Sequence, residues 1–129
     1  MLKQVLSILI ICLFAGTAVA QDGPLRLRIT DGVIEPLPFA LPAFQAETPG
    51  SEGVADDIAR LVAQDLINTG LFREIPSAAF ISTPSSFSAP ISYPDWRAIN
   101  AQALINGAVA VNGDQLIVKF RLTKSYSDL

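Results

Sequence analysis

The chain has 129 residues, half of them hydrophobic, with nine basic and twelve acidic side chains, no histidine and one cysteine. The missing histidine removes Ser-His-Asp and Cys-His catalysis and the usual His/Cys zinc sites. A net charge of −3 with no basic stripe argues against a nucleic-acid surface, and the length allows one compact domain but not two.

The first twenty residues read as a secretory signal peptide. Lys3 is followed by an apolar run from Val5 to Phe14, then by Ala18-Val19-Ala20 before Gln21, which places small residues at −3 and −1 of a cleavage site between Ala20 and Gln21. The run is shorter than the roughly 20 residues needed to span a bilayer, so no stable membrane insertion is expected after cleavage. Cys12 would leave with the leader. The mature chain, Gln21 to Leu129, would have no cysteine and no disulfide, and a net charge of −4, which suits a bacterial periplasm.

Gln21, Asp22, Gly23 and Pro24 form a polar start. Leu25, Arg26, Leu27, Arg28, Ile29 and Thr30 then alternate strictly, the pattern of a strand with one face buried. Asp31-Gly32 is a turn signal. Val33 to Phe44 is apolar but carries Pro36, Pro38 and Pro42. Such a segment is more easily placed at a sheet edge or broken by bulges than run unbroken through a centre, with Phe39 to Phe44 as its strand.

An amphipathic helix follows. Val54, Ile58, Leu61, Val62 and Leu66 fall on one face of a 3.6-residue period. Ser51 is the expected N-cap, Glu52, Asp56 and Asp57 complement the helix dipole, and Gly70 supplies the left-handed stop. Phe72 to Ile75 reads as a short strand. Pro76 to Ser92 reads as a long loop pinned by Phe80, Ile81 and Phe87. Pro94 opens a second helix in which Trp96 and Ile99 face inward. Leu104 to Val111 has the apolar character of a central strand, Asn112-Gly113 is a hairpin signal, and Leu116 to Thr123 returns with clean alternation. Mixed elements of this order predict an α+β domain, with helices packed on one side of a mixed sheet.

Little chemistry is offered. No phosphate-binding glycine loop occurs. Carboxylate pairs alone could serve a hydrolase, but Asp56 and Asp57 are adjacent and point apart on a helix. Asp65 lies at the rim of the apolar stripe, where a backbone donor or Arg97 could answer it. A carboxylate hydrolase using Asp65 and Asp95 is the remote alternative. Trp96 reads as core, and Ser82 to Ser88 as solvated loop.

Three stretches taken together point to one family: ITDGVIEPLPFALPAF (29–44), DLINTGLFREI (65–75) and YPDWRAINAQALINGAV (93–109). In this order, behind a signal-like segment, they resemble the amino-terminal domain of TolB, the soluble periplasmic component of the Tol-Pal system of Gram-negative bacteria. The resemblance runs from about Leu25 to Leu122. It implies an α+β, non-enzymatic domain without cofactor or metal. In the family this domain precedes a β-propeller and serves a system that keeps the outer membrane intact and draws it in at division.

Two contacts are implied. The mature amino terminus, here Gln21 to Thr30, would bind the carboxy-terminal domain of TolA, and strand addition by an alternating arm suits such a contact. The peptidoglycan-associated lipoprotein Pal docks mainly on the propeller, so its main surface is expected to be missing. The family's domain also continues past the hairpin into another strand and a closing helix, which Thr123 to Leu129 does not resemble. The expectation is a domain incomplete at its carboxy end, marginally stable or prone to aggregate through an uncovered edge. The alternatives are a stand-alone periplasmic binding domain with an unrelated ligand, or a non-functional truncated fragment.

Overall fold

The structure is a computed structural model that describes residues 29–30 and 32–125. The expected signal peptide and most of the amino-terminal arm lie outside these residues. The strand order is built on a central parallel unit. Strand β3 (Leu37–Ala40) leads through helix α1 (Glu52–Asn68) to β5 (Phe72–Glu74), which pairs parallel to it. Strand β6 (Ala103–Asn112) pairs parallel to the other side of β3, and β7 (Gln115–Lys124) returns antiparallel along β6. The sheet therefore runs β5-β3-β6-β7. A two-residue strand, β4 (Gln45–Ala46), continues along β6 beyond β3. Two further short strands, β1 (Ile29–Thr30) and β2 (Val33–Ile34), form a separate antiparallel pair. A mostly parallel mixed sheet with two helices makes this an α+β domain, as expected.

The helices lie on opposite faces of the sheet, which corrects their expected placement on one side. Leu37 and Phe39 of β3 join Ala55, Ala59 and Ala63 of α1, with Ala103 and Val109 of β6, in one core. The alternate residues Ala40 and Leu104 join Trp96 of helix α2 (Tyr93–Ala98) with Ile75 and Ala101 in a second. The reason is topological. The chain steps from β3 outward to β5, then back across β3 to β6. Parallel crossovers are right-handed almost without exception, so two steps in opposite directions put their helices on opposite faces.

The proline-rich segment is central rather than at an edge. Its strand is Leu37–Ala40, earlier than the expected Phe39 to Phe44, and the chain leaves the ladder from Leu41 to Phe44 before resuming as β4. Pro42 falls in that gap. Pro38 is tolerated inside β3 because its carbonyl carries the ladder, accepting from the Gln102 N–H at 2.9 Å. At the gap, Phe44 folds its ring against Gly107 of β6, which explains why a strand so rich in apolar side chains needs a glycine there.

Helix α1 ends as its sequence predicts. Gly70 has φ 73, and the Gly70 N–H donates to the Ile67 carbonyl at 3.0 Å, the left-handed stop that glycine adopts without penalty. The buried stripe, however, is alanine. Ala55, Ala59 and Ala63 are buried, flanked by half-buried Ile58, Val62 and Leu66, while Val54 is exposed and Leu61 is 62% exposed. Residues four apart stack on one face, and methyl side chains let the helix axis approach the sheet closely.

Ser51 precedes the helix but does not cap it with its side chain. Its buried hydroxyl donates to the Thr48 carbonyl at 2.6 Å and lies 3.3 Å from the Val109 carbonyl, tying the β4–α1 turn to β6. The consequence is testable by denaturant titration. Ser51→Ala is expected to lower stability by about 1 kcal/mol. Ser51→Asp, an equally good residue at an exposed N-cap, is expected to do worse than alanine, because the site buries a carboxylate with no cation beside it.

On the second face, Phe80 meets Trp96 edge-on, with ring centroids 5.1 Å apart, and Ile91 and Ile99 pack beside them. Trp96 and Ile99 thus face inward as expected. Ile81 does not pin the loop; it is exposed. Phe87 pins it through cations instead, with the Lys119 Nζ 5.3 Å and the Arg121 guanidinium 5.1 Å from its ring centroid. Arg121 also donates to the Phe87 carbonyl at 3.1 Å.

Candidate functional site

The expected partner-binding arm spans Gln21 to Thr30, and only Ile29 and Thr30 belong to the described residues. They pair antiparallel with Ile34 and Val33 in a tight hairpin whose turn includes Gly32, φ 75. The hairpin is a sheet of its own rather than a strand of the main sheet. Val33 is 69% exposed and Ile34 is also exposed. The β2 side of this small ladder thus faces solvent.

The acidic candidates are not brought together. Asp56, Asp57 and Asp65 are all exposed along α1, and Asp57 pairs with Arg60 at 3.2 Å in an exposed contact of the i,i+3 kind. Asp95 stands in the first turn of α2, on the opposite face of the sheet. Asp65 is solvated and requires no buried partner. Arg97, the cation considered for it, donates to the Ser125 carbonyl at 3.3 Å. Among the described residues no cluster of three metal-ligating side chains occurs. Among the described residues, the acidic candidates of α1 and α2 do not face one another across a shared cleft.

An open groove does form where α1 crosses the carboxy ends of β3 and β5, lined by Leu41, Ala43, Ala63, Ile67 and Glu74. This is the point at which the crossover direction reverses, the position where open α/β sheets bind ligands. Its lining mixes small apolar side chains with Arg60, Gln64, Glu74 and Ser77, and the buried side-chain polar atoms without a partner among the described residues, Asn106 Oδ1 and Ser125 Oγ, lie elsewhere. Asn106 instead lines a void of about 10 Å³ between β6 and the loop at Pro84 and Phe87, room for about one water.

The most exposed apolar surface is β7. Leu116, Val118, Phe120 and Leu122 share one face of the strand, and Phe120 is 73% exposed. On the other face, Lys119 pairs with Glu47 at 2.7 Å and Arg121 holds Phe87. Sequence alternation found the two faces correctly. Neither is covered among the described residues, since α1 and α2 pack over β3, β5 and β6.

No helix among the described residues is long and apolar enough to cross a membrane. The profile of the TolB amino-terminal domain family matches residues 25–127. A Tol-Pal system protein TolB from Cereibacter sphaeroides is 61% identical over 114 residues, covering 88% of this chain and 26% of that protein. Its counterpart in Roseobacter denitrificans is 61% identical over 119 residues, covering 92% and 27%. A more distant counterpart in Paramagnetospirillum magneticum is 35% identical over 119 residues, covering 92% of this chain and 27% of that protein. The chain spans about a quarter of the length of these relatives. With its parallel core, its glycine-stopped helix and a family match over most of its length, the chain belongs to the TolB amino-terminal domain family.

Proposed function

We propose that the chain is a non-enzymatic interaction module of the Tol-Pal system, exported to the periplasm by cleavage between Ala20 and Gln21. Its amino-terminal arm, Gln21 to Thr30, binds the carboxy-terminal domain of TolA, and through that contact the module supports outer-membrane integrity and constriction at division. Contact with Pal is secondary here, because the resemblance assigns Pal mainly to a propeller and not to the amino-terminal domain that residues 25–127 match.

The observation that carries the proposal is the β1–β2 hairpin. The alternating arm ends in a two-residue ladder of its own, outside the main sheet, so an incoming strand can extend it without dismantling a core. Main-chain hydrogen bonds then supply affinity, and the alternate side chains Leu25, Leu27 and Ile29 supply selectivity. Such a contact tolerates salt, since little of it depends on exposed charge.

The test is calorimetric titration of the TolA carboxy-terminal domain with the chain and with a version lacking Gln21 to Thr30. Micromolar-class binding is expected for the first and loss of binding for the second. Equal affinities would overturn the assignment of the arm.

A further inference from the structure

We propose that Asn112 is a modification site. Its side-chain amide reacts with the Gly113 backbone to give aspartate and isoaspartate, and the isoaspartate form opens the end of the β6–β7 hairpin. The proposal is independent of the amino-terminal arm and its partner.

The reactive pair occurs twice, as Asn106-Gly107 and Asn112-Gly113. The chemistry is intramolecular. The Gly113 amide nitrogen gives its proton to solvent and attacks the Asn112 side-chain carbonyl carbon. A C–N bond closes a succinimide ring, the bond to the side-chain nitrogen breaks, and that nitrogen leaves as ammonia with a proton from water. Water then opens the ring at either of its carbonyls. One opening gives aspartate; the other gives isoaspartate, in which the main chain runs through the former side chain. A following glycine favours closure because it has no Cβ in the way and turns freely, and nucleophile and carbonyl are already neighbours in the chain.

The two pairs differ in the backbone freedom each is allowed. Asn106 is 5% exposed and lies within the ladder, with β7 on one side at Asn106↔Arg121 and β4 on the other at Gln45↔Ala108. The Phe44 ring lies against Gly107. Rotating the 106–107 peptide into the ring geometry would disturb pairing on both sides. Asn112, by contrast, is exposed and forms the last pair of the ladder, Asn112↔Gln115. Its nucleophile, the Gly113 nitrogen, stands in the loop and takes no part in that pair. Among the described residues the Asn112 side chain has no hydrogen-bond partner, and the space beside Gly113, φ 60, is open. Ring closure at Asn112 needs only the fraying of a terminal pair, whereas at Asn106 it needs an opening of the sheet.

The product matters because the turn is tight. Only Gly113 and Asp114 join the strands, and loop length fixes the register of a hairpin. Isoaspartate lengthens the main chain between residue 112 and Gly113 by one carbon. The residue before it is tethered, since the Val111 N–H donates to Thr48 Oγ1 at 2.8 Å, so β6 cannot slide to absorb the insertion. The closing pair opens instead.

The test is to hold the purified chain, shown to be folded by circular dichroism, in mildly alkaline buffer and follow both sites by peptide mapping and mass spectrometry. Asn112 should convert at least about tenfold faster than Asn106, the ratio reporting the difference in local opening. In urea the two rates should converge, because the flanking glycine is the same. Hydrogen exchange of the aged chain should quicken at Val111, Gln115 and Leu116 and stay unchanged at Leu104. Asn112→Gln should abolish this ageing, and freshly prepared Asn112→Asp, whose main chain is not lengthened, should keep the hairpin end protected. Equal rates in the folded chain, an inert Asn112, a gap that persists in urea, or an aged chain as protected as a fresh one would each overturn the proposal.

Discussion

Replacing Trp96 by alanine is expected to lower the unfolding free energy by about 3–5 kcal/mol, the range for deleting a large buried aromatic. The indole is 2% exposed and fills the second core. Two of the buried side chains around it, Ala40 and Ala101, are already methyl groups and cannot swing in to close the cavity. The loss also reaches beyond the helix. Phe80 stacks edge-on against the indole and Ile91 packs beside it, so residues 80–91 lose their inner anchor. Urea unfolding followed by circular dichroism should show the shift, and limited proteolysis should cut within 82–92 under conditions that spare the parent. Trp96→Phe should retain much of the loop protection. A loss below about 1 kcal/mol for Trp96→Ala would mean that this cluster does not hold the second face.

The second large effect is expected at Gly107. A methyl added to its Cα would lie 2.5 Å from Phe44 Cε2, far inside van der Waals contact. The Phe44 ring is buried at 5% exposure, so it cannot swing into solvent as a long surface side chain would. Gly107→Ala should therefore cost about 3 kcal/mol, at the upper end of the overpacking range, although alanine normally stabilises a strand relative to glycine. The pairing is testable as a cycle. With Phe44→Leu in the background, Gly107→Ala should cost clearly less, giving a coupling energy that neighbouring residues show and distant ones do not. Simple additivity would argue that the strain is absorbed elsewhere.

Several elements were legible because their signals are local. The glycine stop of α1 needs only Gly70 and the period before it. The β6–β7 hairpin needs only Asn112-Gly113 and alternation, although the loop forms at Gly113-Asp114, after the Asn112–Gln115 pair. Trp96 announced itself as core by its place on the inward face of α2.

What failed did so for physical reasons. Hydrophobicity ranks Val54 and Leu61 above alanine, yet a helix lying close on a sheet has room for methyl groups, so Ala55, Ala59 and Ala63 take the buried stripe. The parallel pairing of β3 with β5 and β6 leaves no local mark, because each bond joins residues more than thirty apart. Without that pairing, the reversal that puts α1 and α2 on opposite faces could not be derived. The prolines misled in a similar way. Pro38 is compatible with a central strand because of which backbone group faces Gln102, a fact that belongs to register and not to composition. The arm was read from resemblance rather than from its own chemistry, and the β1–β2 hairpin gives it a first structural context.

The position of β3 has a kinetic consequence. Its partner on one side, β5, follows after one helix, but its partner on the other, Phe39↔Ala103, lies more than sixty residues downstream. A chain emerging amino terminus first therefore presents a half-paired central strand until β6 has been delivered. Loops of that span are slow to close, and a strand edge left waiting is the part most apt to find the wrong neighbour. The β6–β7 hairpin, whose contacts are all short in sequence, can assemble as soon as it appears and then dock as a finished lid. Maturation of this fold is timed by the arrival of its β6–β7 hairpin.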